Sequence, residues 1–174
     1  MIYMFSTIKV YLMKKFCFNF QMSVLMAFNL LLIARLLAAY YSSISDCDET
    51  YNYWEPLHYL IYGKGFQTWE YAPQYGLRSY AYILLHTVPA WFYAQVLQPN
   101  QMYVFYYCVR CILACLCAVC EAYFYVGVTK EIGANVGRIT LICLIFSAGM
   151  FVASTAFLPS TTSMYLCMIA HGAW

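Results

Sequence analysis

The stretch MSVLMAFNLLLIARLLAAYY, residues 22–41, decides the fold class. It holds a single charged side chain, Arg35, and a helix of about 20 apolar residues is long enough to span the hydrocarbon core of a bilayer. Lys9, Lys14 and Lys15 precede it, so the positive-inside rule predicts that this helix starts in the cytoplasm. The run is longer than the apolar core of a secretory signal, and we expect it to remain as a transmembrane helix.

The composition of the whole chain agrees with a protein that has the lipid bilayer as its solvent. Of its 174 residues, 64% are hydrophobic and 9% are charged, whereas soluble domains carry roughly 25% charged residues. The net charge of +2 and the lack of a basic run argue against a nucleic-acid partner. The further apolar runs that could span a membrane are residues 79–96, 102–126, 139–158 and 161–174.

Together these runs predict an all-α fold of multi-spanning transmembrane helices over residues 21–174, after a cytoplasmic N-terminus formed by residues 1–20. The connections between the helices are short except for one loop, residues 42–78. Alternation from a cytoplasmic start places this loop on the luminal side of the membrane.

The luminal loop concentrates the acidic residues of the chain. Four of the seven acids lie between Asp46 and Glu55, and a fifth, Glu70, lies close by in the sequence. A carboxylate set against a membrane is costly to desolvate. We therefore expect these side chains to be used in binding or chemistry.

Local signals predict two short helices in this loop. Asp46 is a good N-cap for a first helix over residues 48–54. Pro56 is a good first residue for a second helix, with Glu55 capping it and Gly63 ending it. Such helices lie in the membrane interface, where aromatic rings sit at headgroup depth.

The spacing of Asp48, Asn52 and Glu55 places them on one side of the helix. The opposite side is apolar and holds Tyr51, Trp54, Leu57, Leu60 and Ile61.

The acidic cluster allows three readings from spacing alone. Close carboxylates help one another to hold or accept a proton near neutral pH, and such a group serves as a general base toward a sugar hydroxyl. The pattern Asp46-x-Asp48 could instead bind a divalent metal. The simplest reading is helix capping plus a solvated acidic surface.

Three charged residues, Arg35, Arg110 and Glu121, lie inside the predicted membrane spans. Arg110 and Glu121 share a side of one helix but are roughly 16 Å apart by helical rise, so they cannot pair with each other. Each of them, like Arg35, either finds a partner on a neighbouring helix or reaches an interface, and the arginines could instead contact a substrate phosphate. In the loop, Arg78 either binds a lipid phosphate or anchors the chain to headgroups generally.

The cysteines and histidines are predicted to pack rather than to bind metal. Five of the nine cysteines fall within residues 108–120, an apolar run without partners suited to a zinc site. Cys47 is read as a free thiol or packing residue. His58 and His86 lie in aromatic surroundings, where a lone histidine usually packs through a hydrogen bond.

Four stretches resemble one known family: DCDETYNYWEPLHY at 46–59, YGKGFQTWEY at 62–71, RSY at 78–80 and AFLPS at 156–160. They resemble glycosyltransferase family 22, the dolichyl-phosphate-mannose-dependent mannosyltransferases with the multi-spanning GT-C fold. Related members carry His-Pro-Asp-Glu where this chain has Asp-Cys-Asp-Glu at 46–49, and this variant is similar to the α-1,2 branch that acts in asparagine-linked glycosylation. The resemblance covers roughly residues 24–174.

The resemblance implies an inverting α-1,2 transfer in the endoplasmic reticulum membrane. The donor is dolichyl-phosphate-mannose, and the acceptor is the dolichyl-diphosphate oligosaccharide. By the same resemblance, Asp48 is the general base, Glu49 supports it, and no metal or other cofactor is needed. The residues expected to bind substrate are Asp46, Asn52, Trp54, Glu55 and Arg78.

Members of this family are several times longer and have more membrane helices. The chain is therefore expected to be the N-terminal part of a GT-C domain, truncated within its fifth span. The alternative expectation is a truncated membrane protein that keeps part of the fold and is catalytically inactive.

Overall fold

The computed structural model describes residues 23–44, 46–97 and 102–174, and within these residues it is all-helical and contains no strand. The prediction for residues 1–20 lies outside the described residues. A π-helical turn, Thr50–Trp54, and a 3-10 turn, Trp69–Tyr71, interrupt the loop. The α-helices are α1 (Val24–Tyr41), α2 (Cys47–Glu49), α3 (Glu55–Tyr62), α4 (Ala81–Leu97), α5 (Met102–Glu131), α6 (Ala134–Phe146), α7 (Ala148–Ala153) and α8 (Pro159–Ala173).

The all-α prediction is confirmed for the described residues. Among the described residues, two helical segments are long and apolar enough to cross a membrane, Val24–Tyr41 and Phe105–Glu131. They correspond to the first and third predicted spans. The other three predicted spans form shorter helices, so the full multi-spanning arrangement stays a prediction.

Helix α5 lies at the centre of the bundle and packs against α1, α4, α6 and α8. Its contact with α1 and α6 buries small side chains, which allow helix backbones to approach closely. The residues of this cluster are Ala27, Leu31, Ala118, Ala122, Tyr125 and Leu141. A second hydrophobic cluster, which includes Phe157, packs the loop against α4, α5 and α8. The helix bundle therefore holds the loop in place.

A fully buried ion pair joins α1 to α5. Arg35 Nε donates to Glu121 Oε2 at 3.0 Å, and both side chains are inaccessible to solvent. The remaining nitrogens of Arg35 donate to Ser154 Oγ at 3.3 Å and to the Leu144 carbonyl at 2.6 Å. The neighbouring-helix alternative therefore holds for both charges.

Arg110 also binds neighbouring protein groups. It donates to the Ser42 carbonyl and to Thr155 Oγ1, both at 2.7 Å, and to the hydroxyls of Ser42 and Tyr106. These bonds tie α5 to the end of α1 and to the segment between α7 and α8.

The predicted fourth span, residues 139–158, is not one helix. Helix α6 ends at Phe146, and Ser147 takes an extended conformation. The Ser147 hydroxyl accepts a hydrogen bond from Met150 N at 3.3 Å. A serine that caps a new helix competes with continuation of the old one. The apolar run therefore divides into α6, the short α7 and the segment 154–158.

Two other boundaries differ from the sequence prediction. Helix α5 continues to Glu131, so the predicted connection 127–138 shrinks to a turn at Ile132 and Gly133, where Gly133 has φ 127°. Helix α8 begins at Pro159, because proline is well suited to the first turn of a helix.

Candidate functional site

The loop is built on one continuous helical segment from Cys47 to Tyr62, not on the two separate helices predicted. Residues 50–54 form a π-helical turn, and Glu55 is helical, with its N–H bonded to the Thr50 carbonyl. Glu55 is therefore not an N-cap. Such π-helical turns are rare in proteins, and those that occur often lie at functional sites.

Pro56 explains part of this geometry. Proline has no N–H to donate to the carbonyl four residues earlier, which here is that of Asn52. The Tyr71 hydroxyl takes the vacant place and donates to the Asn52 carbonyl at 2.5 Å. The 3-10 turn is thereby joined to the π-helical turn. Burial raises the pKa of Tyr71 to about 12, so the hydroxyl keeps its proton at neutral pH.

Both predicted ends of the segment are confirmed. Asp46 is the N-cap, and its side chain accepts from Asp48 N at 2.9 Å. Gly63 ends α3 in the left-handed conformation, with φ 67° and its N–H bonded to the Tyr59 carbonyl at 2.9 Å.

Asp48 lies in a polar network at the surface of the loop. Its Oδ1 accepts from Arg78 Nη2 at 2.7 Å and from the Asn52 amide, while Oδ2 has a longer contact of 3.4 Å with Arg78 Nη1. The Asp48 side chain is 39% exposed. The carboxylate is thus held in one orientation and stays accessible from outside.

Arg78 joins three parts of the loop. Besides Asp48, it donates to the Tyr53 hydroxyl at 2.8 Å and to Glu70. Burial alone would lower the pKa of Arg78, but the hydrogen bond to Glu70 and the nearby Tyr53 and Asp48 raise it above its ordinary value. The guanidinium is therefore a permanent cation beside the Asp48 carboxylate.

Glu49 points away from this network into the core. It is 4% exposed, and its Oε1 accepts from Trp54 Nε1 and from Phe157 N, both at 2.9 Å. The Trp54 ring is also buried, with centroids 5.0 Å from Phe157 and 4.8 Å from Tyr106. Glu49 therefore joins the loop to the segment between α7 and α8, and Trp54 lies in the core instead of on an open surface.

The remaining predicted substrate-binding residues fix the shape of the loop. Asn52 is 7% exposed, and its Oδ1 accepts from Thr68 Oγ1 at 2.6 Å. Glu55 accepts from Phe66 N at 3.1 Å and so folds the chain after Gly63 back onto α3.

A cleft of about 530 Å³ opens beside Asp48. This volume is within the range of about 300–1,000 Å³ typical of small-molecule sites. Sequence reasoning did not single out Thr68, Trp69 and Glu70 as wall residues, although they lie in the stretch that carried the family resemblance. The walls are formed by Cys47, Asp48, Tyr51, Asn52, Phe66, Thr68, Trp69 and Glu70.

In the part of the chain that the structure describes, no group of three or more histidine, cysteine or acidic side chains is arranged to hold a metal ion. Asp46 uses its carboxylate to cap the helix. Cys117 and Cys120 are buried in the apolar core, as the packing prediction expects.

Comparison with known proteins gives a consistent result. The model of the Alg9-like mannosyltransferase family matches residues 26–174. Mouse alpha-1,2-mannosyltransferase ALG9 is 60% identical over 148 residues, and the human protein of that name is 58% identical; each match covers 85% of this chain and 24% of the relative. The Saccharomyces cerevisiae protein is 35% identical over 147 residues, which cover 79% of this chain and 25% of the relative. No solved structure gives a significant match.

The chain thus spans about a quarter of the length of the curated relatives it matches. The matched region contains all of α1 except its first two residues, together with α2 to α8, the loop and the cleft beside Asp48. The chain belongs to the Alg9-like mannosyltransferase family.

Proposed function

We propose that this chain, within a protein of its relatives' full length, takes part in α-1,2 mannosyl transfer in the endoplasmic reticulum membrane. The donor is dolichyl-phosphate-mannose, and the acceptor is the dolichyl-diphosphate oligosaccharide that precedes N-glycosylation. Family membership and the names of the relatives support the reaction type. The observation that carries the proposal is the Asp48 carboxylate, oriented by Asn52 and Arg78 and open to a cleft.

Asp48 acts as the general base in this proposal. The acceptor hydroxyl gives its proton to the carboxylate while its oxygen attacks the anomeric carbon of the donor mannose. The bond from that carbon to the lipid phosphate breaks, and its electron pair leaves with the phosphate, so the anomeric configuration inverts. Oδ1 is engaged at close range by Arg78 and Asn52, which makes Oδ2 the oxygen that takes the proton.

Arg78 and Asn52 orient the base, and the fixed positive charge of Arg78 also suits the lipid phosphate of the donor. Asp46 sets the first turn on which Asp48 stands. Glu55 holds the chain that closes the cleft near Phe66.

In this proposal, Glu49 and Trp54 support the reaction indirectly, through their contacts in the hydrophobic core. Their mutual hydrogen bond and the bond from Phe157 N to Glu49 fix the turn that carries Asp48. They are positioning residues and do not themselves touch the substrates.

The experiment is complementation of cells that lack their α-1,2 enzyme, with a full-length coding sequence that contains this chain. Lipid-linked oligosaccharides should return to the complete glycan, and an α-1,2-specific mannosidase should remove the added residue. Cells that receive an empty vector provide the baseline. An unchanged profile, or an added residue in another linkage, would contradict the proposal.

The same assay with residues 1–174 alone tests whether this chain is catalytically active by itself or is an inactive membrane protein. A membrane active site for two lipid-borne sugars needs protein walls around both, and the cleft beside Asp48 is lined by residues of the loop and is open to the outside. We expect insertion into the membrane without mannosyl transfer. Restoration of the complete glycan by residues 1–174 would refute this expectation.

A further inference from the structure

We propose that the cleft beside Asp48 is the subsite for the terminal sugar of the acceptor, with Trp69 and Tyr51 as its sugar-stacking walls. This inference rests on the proposed function. A general base must contact the hydroxyl it deprotonates, and that hydroxyl belongs to the acceptor. The cavity that contacts the Asp48 carboxylate is therefore assigned to the acceptor sugar, while the donor anomeric carbon approaches from beyond it.

The aromatic rings of the loop include a set that is buried in the core and a set that lines the cleft. Tyr53, Trp54 and Tyr71 are at most 9% exposed and belong to the core. Trp69 is 60% exposed and Tyr51 is 51% exposed, although both are large apolar rings. A third exposed ring, that of Phe66, completes the set of rings that line the cleft.

The exposed rings are held in place by other rings. Tyr51 contacts Phe66 edge to face, with centroids 6.1 Å apart, and Trp69 contacts Tyr75 in the same way at 5.3 Å. Edge-to-face pairs stabilise ring orientation. Flat surfaces of fixed orientation suit the apolar C–H face of a pyranose ring.

The polar groups of the cleft suit sugar hydroxyls. Asp48 and Glu70 supply carboxylate oxygens that accept hydrogen bonds, and Asn52 and Thr68 are locked to each other across the cleft wall. The acids are balanced by Arg78, which pairs with both carboxylates. An open cleft with aromatic walls and a few fixed polar groups favours a neutral, hydroxyl-rich ligand.

Membrane anchoring is the competing use of exposed rings, because tryptophan and tyrosine gather at headgroup depth. Anchoring needs only that the rings face lipid, and it gives no reason for them to surround the Asp48 carboxylate. Trp91 provides a matched control. It is 52% exposed on α4 and lies outside the cleft.

The test is steady-state kinetics of the purified full-length protein, with dolichyl-phosphate-mannose and the lipid-linked oligosaccharide varied separately. Trp69→Ala should raise the KM for the acceptor about tenfold, as expected when the indole ring no longer packs against the bound sugar. The donor KM should be unchanged. Trp69→Phe, which keeps a flat ring, should recover most of the loss. Tyr51→Ala provides a second variant should Trp69→Ala fail to fold, and Trp91→Ala should change neither KM.

An unchanged acceptor KM in Trp69→Ala and Tyr51→Ala would overturn the subsite. So would a rise in the donor KM alone, or equal rises in all three alanine variants, the result that membrane anchoring predicts. These outcomes differ from failure of the proposed function, in which the wild-type protein transfers no mannose from this donor.

Discussion

Replacement of Glu49 tests whether this acid is a buried anchor or a chemical participant. In Glu49→Ala, the indole N–H of Trp54 and the backbone N–H of Phe157 both lose their acceptor inside the core. A buried donor left without a partner costs about 1–3 kcal/mol, so the two together cost about 2–6 kcal/mol. That is a large part of a typical stability of about 5–15 kcal/mol. In Glu49→Gln, the amide oxygen remains available to both donors, and the loss should be much smaller.

The assay combines thermal unfolding of the full-length protein in detergent with the rate of mannosyl transfer. We expect Glu49→Ala to unfold at a clearly lower temperature and to lose activity with its fold, whereas Glu49→Gln keeps most of both. Two results would refute this reasoning. One is a fully stable Glu49→Ala, and the other is a stable Glu49→Gln that has lost transfer, because the charge itself would then be required.

Three further predictions follow from hydrogen bonds, charges and topology. Tyr71→Phe should lower the free energy of unfolding by about 0.5–1.5 kcal/mol. Because the pKa of Tyr71 is raised from 10 to about 12, the proton-linked contribution of Tyr71 to the free energy of unfolding should be fully present below pH 10. It should be lost as the pH rises through 12, and denaturant titrations of wild type and variant at several pH values can measure this loss. Arg35→Met or Glu121→Met alone should lower the free energy of unfolding by about 3–5 kcal/mol, because each leaves a buried charge unpaired. The double variant should recover most of this loss in a double-mutant cycle, and additive losses would show that the pair is not coupled. An Asn-Ala-Thr sequence inserted after Gln74 should be glycosylated in microsomes, because the loop is predicted to be luminal, and an unmodified insert in a correctly integrated protein would count against that topology.

Local signals in the sequence were sufficient for the ends of the loop helix. Asp46 caps it and Gly63 ends it because each residue type satisfies the backbone at its own position. The π-helical turn was missed because no local signal marks it. Its tertiary partner is the Tyr71 hydroxyl, which binds the carbonyl that Pro56 cannot engage. That partner is 19 residues away and lies on a different element.

The directions of Asp48 and Glu49 could not be read from their spacing. Neighbouring residues of a helix point about 100° apart, so one of two adjacent acids can enter the core while the other stays outside. Which one is buried depends on Phe157, which is 108 residues from Glu49 in the sequence. The partner of Arg35 was undecided for the same reason, since Glu121 is 86 residues away.

The break in the predicted fourth span shows a limit of hydropathy. Residues 139–158 are mostly apolar and carry no charged side chain, and such a composition alone does not distinguish one long helix from two short ones. Ser147 carries the signal, because its hydroxyl caps α7. A capping serine within an apolar run was the available evidence for a break.

The measurement that tests the central claim most directly compares Asp48→Asn with Asp46→Asn in single-turnover transfer from dolichyl-phosphate-mannose. Asparagine keeps the shape of both side chains and is itself a good N-cap, so Asp46→Asn should remain close to wild type. Asp48→Asn should be slower by about 10²–10⁴-fold, the usual cost of losing a general base. Its unfolding temperature should fall only slightly, because the lost ion pair with Arg78 is partly exposed. Near-normal turnover in Asp48→Asn would contradict the account.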